Sequence, residues 1–360
     1  MPEEENDFSR LFNEFFEYNR HAEKAWELFL NPPRVSVGRT PHEVVFTDGK
    51  LKLLHYHSMT KKKKVSVPVL ITYALINRPY ILDLQPDRSV IQKLLLEGFD
   101  VYLIDWGDPD EDDRTLTMKD HIEGYMHSVV EWIKKETRSK QINLFGYCQG
   151  GTFSVMYAAL HPRNIKNLII MAAPLIFDTD KGILHIWSKK EYFDVDKFVD
   201  TLGNVPGEFM NAAYTMLDPV NNMYAKYMRF MGQVDDTGFV EMFFRMERWI
   251  NDSPAQPGET FREFVKNGYQ DNLLVQNKWR IGRRTVNLKK INMPLLLIIG
   301  SFDHLVPPEA TRDFPEYVSS KEKKVLEMAT GHIGLSVSSR SHKELWPEVC
   351  DWMKKHSGGK

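Results

Sequence analysis

The chain has 360 residues, 42% of them hydrophobic, enough for one large α/β domain with an insertion or for two modest domains. A formal net charge of −2, with 47 Lys and Arg against 49 Asp and Glu, argues against a general affinity for nucleic acid or an anionic membrane. No run of about eighteen apolar residues occurs, the acidic opening MPEEENDF is the opposite of a secretory leader, and two distant cysteines make no disulfide framework, so a soluble cytoplasmic protein is expected.

Residues 8 to 30 carry Phe8, Phe12, Phe15, Ala22, Trp26 and Phe29 largely at three- and four-residue spacing, which predicts an amphipathic helix or helix pair. Asn31-Pro32-Pro33 ends it. Such a helix serves either to dock a partner or to pack on a sheet. Glu43 to Phe46 and Lys50 to His57 read as a hairpin turned at Asp48-Gly49, and Lys61 to Lys64 as a solvated loop tip. From residue 65 short apolar strands alternate with helices. Val65 to Ala74, Asp100 to Trp106, Gln141 to Cys148, Asn167 to Ala172 and Pro294 to Gly300 read as buried strands. Helices are expected near Ser89 to Leu96, Met118 to Lys135 and Gly151 to Leu160, giving a mostly parallel, doubly wound sheet.

The alternation stops between about Ile176 and Val286, where the sequence turns helical, aromatic and rich in methionine. It resumes at Pro294. An insertion between two strands of one sheet is best read as a cap over the sheet's C-terminal edge. The expected organisation is an N-terminal helical segment (1–42), an α/β core (43–175 and 287–360) and a helical cap (176–286) inserted before the strand that bears the acid described next.

Gly146-Tyr147-Cys148-Gln149-Gly150 matches the nucleophile elbow G-x-S-x-G with cysteine in the serine position. The elbow residue is held in a strained backbone conformation, so its neighbours two positions away must be small enough to let strand and helix approach. A helix N-terminus aimed at the nucleophile favours a thiolate and a developing oxyanion. The backbone N–H of Gln149 is the expected first oxyanion donor, and a second is expected in the loop after the first core strand, around Leu75 and Ile76. An acid and then a histidine must follow in chain order. Asp303, just past a strand in LLLIIGSFDHLVPP, and His332, in the Gly-His turn of EMATGHIGL, meet that requirement and point to the α/β-hydrolase fold. The adjacent His304 is read as a decoy and Cys350 as core. A thiolate is both a strong nucleophile and a good leaving group, which suits transfer of an acyl group from one thioester to another better than simple hydrolysis.

The Cys elbow, together with YALINRPYILDL (73–84), VYLIDWGDPD (101–110), NDSPAQPGETFREF (251–264), DHLVPP (303–308) and GHIGL (331–335), resembles the catalytic subunit of polyhydroxyalkanoate synthases over nearly the whole chain. The short length resembles the two-subunit synthases, class III with a PhaE-type partner more than class IV with a PhaR-type partner. The resemblance implies polymerisation of (R)-3-hydroxyacyl-CoA, typically short-chain such as 3-hydroxybutyryl-CoA, with release of CoA. By the same resemblance Cys148 becomes acylated, His332 takes its proton, and Asp303 helps activate the 3-hydroxyl of the acyl unit. A dimer or homo-oligomer at the polymer granule surface is implied as well. Neither a phosphate-binding glycine loop nor a metal-ligand cluster is visible, so no cofactor is expected. The rival readings are a Cys-dependent hydrolase of the same fold, such as a thioesterase or dienelactone-hydrolase-like enzyme, and a non-catalytic scaffold that coats granules.

Overall fold

The computed structural model describes residues 7–61 and 65–358, with side chains from Glu14 onward. Residues 62–64 of the lysine loop tip, and the side chains of Phe8, Leu11 and Phe12, lie outside the described residues. A helix, α1 (Asp7–Leu30), is followed by the expected hairpin, β1 (His42–Asp48) and β2 (Leu51–Tyr56), closed at Asp48 opposite Leu51. Gly49 sits in the turn with φ 55°, a left-handed conformation that glycine adopts without a Cβ penalty.

The alternating part then runs β3 (Val69–Thr72), α2 (Val90–Leu96), β4 (Val101–Asp105), α3 (His127–Thr137), β5 (Ile142–Tyr147), α4 (Gln149–Leu160) and β6 (Ile165–Met171). After the inserted segment come β9 (Leu295–Gly300), β10 (Lys323–Met328), α11 (Gly334–Val337) and α12 (Trp346–His356). The eight strands order as β1-β2-β4-β3-β5-β6-β9-β10, with β1, β2 and β4 antiparallel neighbours and every later pairing parallel. This is the mostly parallel, doubly wound sheet of the α/β-hydrolase fold.

Side-chain alternation explains why the central strands are apolar throughout. Leu144, Leu168, Leu295 and Leu297 point to one face and pack with Val129, Ile133 and Val155 of α3 and α4. Phe145, Ile169, Leu296 and Ile298 point to the other and pack with Ile91 and Leu94 of α2 and Val349 and Met353 of α12. Each such side chain removed from water contributes about 1.5–3 kcal/mol. Two boundaries differ from expectation. β3 starts only at Val69 and ends at Thr72, inside the apolar run from Val65 to Ala74; after Thr72 the chain leaves the sheet and curls across its C-terminal edge, where the Leu75 N–H bonds the Gln149 side chain. The third helix opens with a π-helical turn over Asp120–Met126 before settling at His127.

Between β6 and β9 lie α5 (Ile183–Trp187), α6 (Val195–Leu202), α7 (Gly207–Thr215), α8 (Lys226–Met231), α9 (Thr237–Asn251), α10 (Gly258–Phe264) and a two-residue ribbon of β7 (Arg280–Ile281) with β8 (Arg284–Thr285). These helices are fastened to the sheet's C-terminal edge. The Trp249 indole donates to the Arg78 carbonyl at 2.8 Å, the Asn77 amide donates to Trp249 and Ile250 carbonyls, and Arg78 and Tyr80 both bind Asp252. The α1 helix packs on these inserted helices rather than on the sheet. Ala25 and Phe29 sit against Phe230, Phe243 and Phe244, while Arg20, His21 and Lys24 converge on Asp235. Phe15, Phe16, Trp26 and Leu30 of α1 remain exposed.

Packing is tight where β5 turns into α4. A Cβ on Gly146 would lie 2.5 Å from the Gly151 Cα, and one on Gly150 would meet the Thr72 carbonyl and lie 2.5 Å from that of Tyr73. Those are backbone atoms of paired elements and cannot swing aside. Gly150→Ala should therefore lose about 3 kcal/mol by overpacking, read as a lowered urea midpoint. Gly124→Ala, where a Cβ would meet nothing within 4 Å, should be neutral or stabilising by up to about 1 kcal/mol. Equal midpoints for the two variants would contradict this account.

Candidate active site

Cys148 occupies the turn between β5 and α4 at φ 56° and ψ −133°, a backbone region that costs a residue with a side chain about 1–3 kcal/mol. The surroundings enforce it. The Cys148 N–H donates to the Met171 carbonyl at 3.0 Å, and the Cys148 carbonyl accepts from the Gly151 N–H at 2.8 Å. The half-buried thiol thus stands at the N-terminus of α4, where unpaired N–H groups favour negative charge.

Two loops from neighbouring strands supply the acid and the histidine. Asp303 follows β9, and its Oδ1 accepts from the N–H groups of Leu305 and Val306 at 2.9 and 2.8 Å. Its Oδ2 accepts from Nδ1 of His332, beyond β10, at 2.6 Å. A carboxylate only accepts, so Nδ1 carries the proton and Nε2 is left for the thiol. The Tyr147 ring stacks on the imidazole with centroids 5.3 Å apart, and its hydroxyl donates to the His332 carbonyl at 2.9 Å. Burial opposes a charge on His332, but Asp303 and the hydrogen-bonded Cys148 outweigh it and push the imidazole up to about 10. The site therefore favours the protonated imidazole.

Two backbone donors remain beside the thiol. The Leu75 N–H is taken by Gln149 Oε1 at 3.1 Å and the Asn77 N–H by Ser253 Oγ at 3.3 Å. The N–H groups of Ile76 and Gln149 make no hydrogen bond with the described residues, and both residues line the cavity at Cys148. His304 is exposed beside the buried Asp303 and does not join the site. Cys350 is buried far along the chain in α12, where burial first and Glu97 second push its thiol up to about 12.

Two cavities meet at Cys148 and share Ile76, Tyr214 and Leu305 as a common wall. The first, about 330 Å³, is walled by apolar and aromatic side chains, including Leu184, Trp187, Phe193, Met210, Phe261 and Tyr269. The second, about 620 Å³, holds His332; its walls are mostly apolar, Met223, Met246, Trp249 and Ile333 among them, with Asn211, Asn222, Lys226 and Glu247 interspersed. Sequence reading missed the tyrosines of this site. Tyr73, Tyr214 and Tyr269 are all raised well above the ordinary phenol value, by burial first and by Cys148 among their neighbours, so they stay neutral. Only Tyr147, inside the elbow itself, had a visible signal. Among the described residues no group of His, Cys, Asp and Glu could hold a metal ion, and no helix is long and apolar enough to cross a membrane.

Residues 67–338 match the family described as the alpha/beta hydrolase fold, and residues 34–94 match the family described as the poly-beta-hydroxybutyrate polymerase (PhaC) N-terminus. The chain is 50% identical over 323 residues to the poly(3-hydroxyalkanoate) polymerase subunit PhaC of Haloferax mediterranei, covering 90% of this chain and 65% of that relative, just under two thirds of its length. It is 40% identical over 348 residues to the subunit of the same name in Thiocystis violacea, covering 97% of this chain and 98% of that one. Among solved structures, a soluble variant of the Saccharomyces cerevisiae monoglyceride lipase aligns with a TM-score of 0.57 at 14% identity, over 90% of this chain and 98% of that one, a likeness of fold alone.

The raised His332 pKa carries a pH signature. Relative to an unfolded histidine near 6.5, the fold favours the protonated ring, so this stabilisation is complete below about 6.5 and is lost as pH rises toward about 10. Asp303→Asn removes the main attraction and leaves the burial penalty. The loss of unfolding free energy on Asp303→Asn, measured in urea, should be largest below the ordinary histidine pKa and shrink steadily in alkali. A loss independent of pH would contradict the assignment.

Proposed function

The chain belongs to the poly(3-hydroxyalkanoate) polymerase PhaC family of the α/β-hydrolase fold, and on that premise we propose that it polymerises (R)-3-hydroxyacyl-CoA through an acyl thioester on Cys148. The observation that carries this reading is the placement of one thiol at the junction of two cavities, with the His332–Asp303 pair behind it. In the first step the Cys148 sulfur attacks the thioester carbonyl while His332 Nε2 holds the thiol proton. The N–H groups of Gln149 and Ile76 receive the oxyanion. As the C–S bond to CoA breaks, the proton passes to the departing sulfur and free CoA leaves. The bond formed and the bond broken are both thioesters, so the step runs near balance.

In the second step a 3-hydroxyl attacks the acyl-Cys148 carbonyl. An ester bond forms, the bond to Cys148 breaks, and the hydroxyl proton passes through His332 to the released sulfur. Asp303, already bonded to His332, holds the imidazole in the tautomer that both transfers need and contributes to activating that hydroxyl. The core of 43–175 and 287–360 carries this chemistry and the cap of 176–286 shelters it. No resident cofactor takes part, since CoA belongs to substrate and product. A second synthase subunit, PhaE-type rather than PhaR-type, completes the enzyme in the cytoplasm at the granule surface, in a homo-oligomeric assembly. The relatives' names as subunits and the exposed aromatics of α1 support that partner.

Incubation with 3-hydroxybutyryl-CoA, with and without the partner subunit, should release CoA and deposit an insoluble polyester. Release of free 3-hydroxybutyrate equal to the CoA, without polymer, would instead indicate a thioesterase. Cys148→Ala should lower CoA release by about 10³-fold or more with circular dichroism unchanged. Cys148→Ser should also lose most activity, because an alkoxide is far harder to form than a thiolate at neutral pH.

A further inference from the structure

The apolar cavity at Cys148 ends on a thin aromatic partition. Phe193, just before α6, and Phe209, on α7, wall the cavity from inside. The same two side chains also line a shallow surface groove of about 480 Å³, whose other apolar walls are Phe198 and Leu202. Phe209 and Leu202 are 44% and 43% exposed, so the groove opens to solvent. Between cavity and groove stands one layer of rings, with centroids 5.2 Å apart for Phe193–Phe198 and 4.9 Å for Phe198–Phe209.

The helices flanking this layer are fastened elsewhere. α6 is tied to α10, where Arg262 binds Asp196 and Asp200, with Lys266 just beyond also on Asp196. α7 is tied to α9, where the Asn211 amide donates to the Ile250 carbonyl at 2.6 Å. Among the described residues no hydrogen bond or ion pair joins α6 to α7. The seam is closed by apolar packing alone, the rings together with Val195, Val199, Val205 and Met210. Rotating a ring there breaks no polar contact, whereas parting α6 from α10 would strand charged groups.

We propose that the growing polyester leaves Cys148 through this seam, passing the rings of Phe193, Phe198 and Phe209 into the groove between α6 and α7. The inference rests on the polymerase reading above and assigns a route within it. An aliphatic polyester carries no N–H or O–H along its backbone, only weakly accepting ester oxygens. A passage without polar groups to satisfy costs it little and excludes water from the thioester behind it. The second cavity also has a mostly apolar lining, but it adds Asn211, Asn222, Lys226 and Glu247, donors and acceptors that a hydrated CoA arm requires and a polyester cannot use. Substrate and product thus take different sides of Tyr214.

The test is photo-crosslinking of the unmodified protein. CoA thioesters of oligo(3-hydroxybutyrate) in graded lengths, each with a diazirine at the distal end, are loaded onto Cys148, photolysed and mapped by peptide mass spectrometry. The label should move outward with length, from Phe264 and Tyr269 in the cavity to the peptide spanning 193–209, which should carry most of it for the longer chains. Loading with label concentrated on the peptide spanning 222–251, or with none on 193–209, would overturn the route and leave the acyl-transfer reading standing. Absence of CoA release during loading would overturn that reading and the route with it.

Discussion

The close approach of β5 and α4 is the constraint on which the rest of the site depends. Gly146 and Gly150 let the strand, the helix and the end of β3 come together where a side chain would collide with backbone, and a side chain on Gly151 would collide with the Ala173 Cβ. That approach leaves Cys148 no conformation but a left-handed one. The thiol is then lifted off the sheet and set on the axis of α4. Parallel pairing does the remainder. Because β5, β9 and β10 all run in one direction, the loops that follow them open on the same edge, and Asp303 and His332 arrive there from adjacent strands.

Electrostatics and packing then divide the labour around that thiol. Asp303 spends one carboxylate oxygen on its own loop and the other on His332, so the acid is fixed before it orients anything. Tyr147 clamps the histidine from beneath by stacking and by a hydrogen bond to its carbonyl. Among the described residues the inserted helices make no hydrogen bond or ion pair with Asp303 or His332. They supply a neutral, aromatic lining on one side and, on the other, an apolar wall interspersed with amide and charged groups, so that two chambers meet at a single sulfur.

Much of this is written locally in the chain. The elbow glycines, the strand ahead of Cys148 and the helix behind it are contiguous, and Asp303 and His332 lie just past apolar runs that can only be strands. The hairpin at Asp48-Gly49 is equally local. What could not be read depends on long-range contacts. Leu75 and Ile76 are equivalent in sequence, and only the Gln149 side chain, by occupying the Leu75 N–H, singles out Ile76. The helix at the N-terminus showed its apolar stripe but not its seat, because Asp235, which draws Arg20 and Lys24, lies more than 200 residues away. The two cavities are likewise products of packing between segments that share no pattern. A methionine-rich run announces apolar surface, and it takes the fold to show that Met210 faces one chamber and Met223 and Met246 the other.

The contrast between the two cysteines has a practical consequence. Cys148 is half-buried at a helix terminus, while Cys350 is sealed in α12 with its thiol held protonated. A folded molecule therefore presents a single accessible thiol. Alkylation stoichiometry counts folded molecules directly, and a spin label or fluorophore attached under native conditions reports from the junction of the two chambers with no engineered residue in the chain.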